Sequence, residues 1–229
     1  MVSFINRKEV LKYQPLASYL AMLQADMIDD ELDFAESEQA KQEIRKRYDA
    51  INYHQPGNVP TIEERIFYHP EEALLTYPPV IGTALQNVLS YEEVDKFYML
   101  PHVKGSIITR LNDGYPPLRK ARQTLKQQSN EGYDEAYEVS LESTKEAIQS
   151  LFWISRCDAS VPHIVIQPAE RSYFMHLCKY GNLHFYASPE SKDAIPLKAL
   201  RAAGFREWNG QEFERFDDSG TIAERVTRV

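Results

Sequence analysis

A chain of 229 residues with 43% hydrophobic and 26% charged residues has an ordinary globular composition, long enough to bury a core without disulfides. Its two cysteines exclude a disulfide framework, and its net charge of −8 disfavours binding driven by nucleic-acid or membrane phosphates. The opening "MVSFINRKEV" shows no signal-peptide pattern, and no apolar run approaches the ~20 residues that span a bilayer. A cytoplasmic protein without membrane contact is expected.

The excess negative charge is confined to the first two-thirds. Residues 151–229 hold 10 basic and 10 acidic side chains, whereas residues 1–150 hold 16 and 24. The stretch "DMIDDELDFAESE", Asp26 to Glu38, carries seven carboxylates and no cation. Such a surface serves solubility first and suits a basic protein partner second.

Helix signals run from the start to about Ile154. Pro15 reads as a first-turn proline, followed by Leu16, Leu20, Leu23 and Met27 at helical spacing. A second helix is predicted over 30–51, and "INYHQPGNVP" then breaks the pattern. Thr61 with Glu64, and Ser90 with Glu93, read as capping boxes that open helices. Between them "PEEALLTY" suggests a short helix stopped by Pro78-Pro79.

A helix from Pro117 places Arg119, Arg122 and Lys126 at i, i+3 and i+7, hence on one face. Lys104 and Arg110 precede it, and the outline loosely resembles a helix–turn–helix. A solvated helix face explains these cations more simply, since DNA-binding domains carry clear net positive charge. The last long helix of the region is predicted over 133–154, with its acidic first turns complementing the helix dipole.

Beyond Val161 the pattern changes. "HIVIQP" and "LHFYA" read as strands, "AERSYFMHLCKYGN" as a helix closed by Gly181, and a helix from near Ile195 ends at Gly204. Asn209-Gly210 in "FREWNGQEFERF" is a type I′ hairpin signal. The expected fold is α+β: an irregular, mainly helical domain over 1–154, then a small β-α-β-α-β-β domain over 155–229 that ends in a hairpin and a short polar tail.

The stretch from Ser155 to Phe185 holds both cysteines and three of the six histidines. Cys157, His163, His176, Cys178 and His184 do not have the paired spacing of structural zinc sites. On a helix His176 and Cys178 diverge by about 200°, whereas on a strand they share a face. No metal site and no cofactor is expected, and no phosphate-binding glycine loop or hydrolase motif occurs. A nucleophilic site would pair Cys157 with His163 or His184 as base, Asp158 as orienting group and Arg156 lowering the thiol pKa. Packing explains Cys178 more simply, because free cysteines behave as small apolar groups.

Tyrosine leads an aromatic content of 11%, a composition that suits protein interfaces. Trp208, Phe213 and Phe216 lie on or beside the terminal hairpin, at least two of them most simply as core. The leading expectation is therefore a non-enzymatic binding protein, such as an adaptor, inhibitor or regulatory subunit, with a protein partner for its acidic helical region. The alternative is a nucleic-acid-binding or nuclease-like protein using Arg119, Arg122, Lys126, Arg206 and Arg215. A second alternative is a Cys/His hydrolase or transferase.

Overall fold

The computed structural model describes residues 1–49, 61–71, 73–105, 107, 115–126, 135–158, 161–189, 194–208 and 216. Their strands are β1 (Val2–Asn6), β2 (Glu63–Tyr68), β3 (Lys96–Pro101), β4 (Glu135–Ser140), β5 (Ile164–Pro168), β6 (Tyr173–Leu177), β7 (Asn182–Ala187) and β8 (Arg206–Trp208). They join one sheet in the order β1-β4-β3-β5-β6-β7-β2-β8, with every recorded pair antiparallel. The helices are α1 (Arg7–Val10), α2 (Leu16–Asp33), α3 (Glu38–Lys46), α4 (Tyr77–Tyr91), α5 (Pro116–Lys126), α6 (Thr144–Cys157) and α7 (Ala194–Ala202). None is long and apolar enough to cross a membrane. The class is α+β, as the composition and strand signals imply.

Strand alternation divides the core in two. Phe97, Met99, Ile164, Ile166, Met175 and Phe185 pack with apolar residues of α4, α5, α6 and α7. The intervening Tyr98, Leu100, Val165 and Phe174 pack with Val10, Leu16 and Leu20 on the other face. Fully burying each such side chain contributes about 1.5–3 kcal/mol. Helices α4 and α6 approach closely at Gly82, where a Cβ would lie 2.7 Å from the Lys145 carbonyl oxygen.

The expected division at 154 falls inside α6, and strands from both parts share the sheet, with β2 lying between β7 and β8. The region expected to be mainly helical supplies β1 to β4. Residues 63–68 form β2 rather than a helix, because β7 and β8 supply backbone partners on both sides. Ser90 and Glu93 close a helix instead of opening one. Glu93 is left-handed (φ 54°), Glu93 N–H donates to Ser90 O, and Val94 N–H donates to Leu89 O, the Schellman pattern. Pro78 and Pro79 do not stop a helix; they sit in the first turn of α4, where missing N–H groups cost nothing.

The helix expected over 30–51 is two helices, with Ser37 capping α3 by accepting from Ala40 N–H at 3.1 Å. Residues 135–140 of the helix expected over 133–154 are instead β4, followed by a 3₁₀ turn, Leu141–Ser143, and α6. Residues 173–177 are β6, not a helix, so the described C-terminal order is β-β-β-α-β. Gly181 is indeed left-handed (φ 78°), but it turns β6 into β7. The α5 and α7 expectations hold. Gly204 (φ 93°) ends α7 with Gly204 N–H on Arg201 O and Phe205 N–H on Leu200 O. The Asn209-Gly210 hairpin signal lies outside the described residues.

Candidate functional site

The hairpin of β6 and β7 builds the site. Its register sets His176 opposite His184, and β5 sets Val165 opposite His176. On the far side of β7, Glu64 of β2 lies opposite Tyr186, with Ile66 opposite His184. Glu64 and His184 are therefore diagonal neighbours, close enough for their side chains to meet. His184 Nδ1 donates to Glu64 Oε1 at 2.6 Å, and the Tyr186 hydroxyl donates to the same oxygen at 2.8 Å. Tyr19 of α2 lies at the edge of this group, its ring tilted 40° to that of Tyr186 with centroids 5.1 Å apart, and shares a hydrogen bond with it.

A second histidine pair continues the wall. His163 stacks on His176 with centroids 4.9 Å apart and planes 7° apart, and His102 meets His163 edge-on at 5.4 Å. His176 Nδ1 donates to Ile164 O at 3.0 Å, and His102 Nδ1 donates to His163 O at 3.1 Å. Together these residues line a cavity of about 720 Å³, closed elsewhere by Leu23 of α2, Asp158, Pro162 and the turn through Lys179. This volume falls within the range that holds small molecules.

Burial sets the protonation of the wall. It pushes the His176 pKa down to about 3 and lowers that of His102, so both rings are neutral near pH 7. Burial also raises the Tyr186 pKa, reinforced by Tyr19 and Glu64, and raises that of Tyr19. Both phenols therefore keep their protons.

The predicted nucleophilic group is divided by the fold. His163, His184 and Asp158 line the cavity, but Cys157 does not; it is buried in the helical-layer core around α6. Cys178, expected as packing, is 5% exposed and borders the cavity. Because 173–177 is a strand, His176 faces His184 across the hairpin. Among the described residues, no three His, Cys, Asp or Glu side chains are placed to hold a metal ion.

The expected basic face on α5 is divided between Arg119 and Arg122. Arg119 is exposed, but Arg122 is 3% exposed and donates to Asp158. A guanidinium so placed braces the C-terminal end of α6, where Asp158 is the cap residue, and is withdrawn from phosphates. The Lys126 side chain and Arg215 lie outside the described residues, and Arg206 is exposed on β8. Of the three hairpin aromatics, Phe216 is buried against Tyr77 at 4.9 Å and Phe152 at 5.8 Å, and Trp208 edges onto Tyr68 at 5.8 Å. Phe213 lies outside the described residues.

Glu64, Tyr186, Tyr19 and His102 join the site without belonging to the stretch of cysteines and histidines that marks it in sequence. The spacing of Thr61 and Glu64 mimics a capping box and hides Glu64 as a site residue. The alternation of "ERIFY", with Arg65 and Phe67 on one side and Glu64, Ile66 and Tyr68 on the other, is the signal that identifies it. Comparison with known protein families, curated proteins and solved structures found no match.

Proposed function

We propose that the protein binds a small molecule in the sheet cavity and that His184, oriented by Glu64, takes a proton from it. The observation that carries this reading is the 2.6 Å contact of His184 Nδ1 with Glu64 Oε1 on the cavity wall. A carboxylate on Nδ1 fixes the tautomer, makes Nε2 the proton-accepting nitrogen and stabilises the imidazolium once formed. Tyr186, itself held protonated, keeps the carboxylate in place by donating to the same oxygen. A positioned base of this kind supplies about 10²–10⁴-fold in rate. It replaces Cys157 as the reactive group of the Cys/His alternative.

Incubating purified protein with a small-molecule extract, followed by mass spectrometry, tests this reading. One or more compounds should be converted by the native chain and spared by His184→Ala and Glu64→Gln. Identical profiles for all three proteins would refute it.

Phe34 favours a second reading, the binding of a protein partner. It is 86% exposed at the end of α2, inside the stretch of seven carboxylates. An exposed aromatic ringed by like charge suits a basic partner surface with an apolar slot. A stoichiometric partner that co-purifies with the native chain and is lost from Phe34→Ser would support it; retention of that partner by the variant would count against it.

A further inference from the structure

The chemistry of the cavity wall also limits what fits it. His176 Nδ1 must donate, because its partner, the Ile164 carbonyl, only accepts; the same holds for His102 Nδ1 on the His163 carbonyl. With both rings neutral, each Nε2 is left as an acceptor. Glu64 is 45% exposed and adds a carboxylate. Asp158 adds another, already matched in charge by Arg122. The Tyr186 hydroxyl donates its proton to Glu64. The wall thus offers several acceptors, beside the donors that Ser155, Tyr180 and Lys179 bring to the cavity. Of the cations, Lys179 is at the cavity and Arg122 is committed to Asp158.

The wall is also built of flat rings. His163 and His176 differ by 7°, and His184 and Tyr186 by 15°. Rows of near-parallel rings favour a planar, π-bearing guest over a globular aliphatic one. A strongly anionic guest meets Glu64, whereas a neutral guest bearing N–H groups meets acceptors.

We propose that the cavity is a site for a planar nitrogen heterocycle carrying N–H or amino donors, of the aminopyrimidine or aminopurine class. The guest stacks among the rings and donates to the Nε2 atoms of His176 and His102 and to Glu64. This inference rests on the reading of the cavity as a ligand site and adds the chemical class of its occupant.

The test is an NMR titration of the full chain, following the ring resonances of His176, His184 and Tyr186. Adenine and cytosine are the probes; benzoate and inorganic phosphate are the controls. Saturable shifts with either heterocycle, weakened about tenfold in Glu64→Ala, are expected, as one charge-assisted hydrogen bond is worth roughly that factor. Glu64 is solvent-exposed enough that its loss leaves the fold intact, which the unchanged amide spectrum of the variant will verify. Shifts with benzoate or phosphate and none with either heterocycle would overturn the proposed class and leave the ligand site standing. Silence of all four probes would also overturn the class, and the extract comparison with His184→Ala then decides the cavity reading separately. Heterocycle binding unchanged in Glu64→Ala would overturn the assigned role of Glu64 as an acceptor.

Discussion

Replacing Asp49 by Ala should destabilise the protein more than any surface change. Arg7 opens α1 and is 1% exposed; the Asp49 side chain is 5% exposed. Arg7 Nε donates to Asp49 Oδ1 at 2.9 Å and Oδ2 at 2.8 Å, and its Nη2 lies 2.8 Å from Oδ2. Gln24 of α2 completes the group, donating to Asp49 Oδ2 and to the carbonyl of His102, on the cavity wall, while accepting from Asp49 N–H. Removing the carboxylate strands a buried guanidinium, which costs about 3–5 kcal/mol. At this chain length that lowers the melting temperature by roughly 6–20 °C. Replacing both partners with apolar residues, Arg7→Met with Asp49→Leu, should cost less than Asp49→Ala alone, because no charge is left without water. Urea unfolding of the native chain, Asp49→Ala and the double variant measures this. A loss under about 1 kcal/mol for Asp49→Ala, with no recovery in the double variant, would show that water reaches the pair and that the desolvation reasoning fails.

The remaining predictions concern protonation, close packing and exposure. His176, with its pKa lowered from 6.5 to about 3, stays neutral in the folded chain while the unfolded chain takes up a proton. The unfolded state binds more protons between those values, so stability is full above about pH 6.5 and falls on acidification, by at most roughly 1.4 kcal/mol per pH unit from this group. Ring-nitrogen NMR should find His176 neutral at pH 5; titration near 6.5 would contradict its burial. Gly82→Ala places a Cβ 2.7 Å from the Lys145 carbonyl and should cost about 1–3 kcal/mol by forcing α4 from α6, as read by thermal unfolding. Phe34→Ser, at a side chain 86% exposed, should change stability by less than about 0.5 kcal/mol in the same assay.

The elements read correctly from sequence are those whose signals are local. Helix α5 begins at its prolines, α7 ends on Gly204, and β5 and β7 are short β-branched or aromatic runs closed by proline or turn residues. Charge and composition likewise needed no structure. The misread elements share a cause. β6 is buried along its whole length, so "YFMHL" shows no alternation of apolar and polar residues. Thr61 with Glu64, and Ser90 with Glu93, match a helix-start pattern, but in β2 neighbouring strands claim the backbone and at Ser90 the helix is ending.

The site followed the same division. The sequence by itself marked His163, His176 and His184 as unusual and left open whether they meet. Only strand pairing decided that. It set His176 against His184, brought Glu64 to His184 across 120 residues and left Cys157 in the helical-layer core. Local propensity is written in neighbouring residues, whereas register between distant strands depends on which faces the assembled helices bury. That choice placed the histidines on one cavity wall.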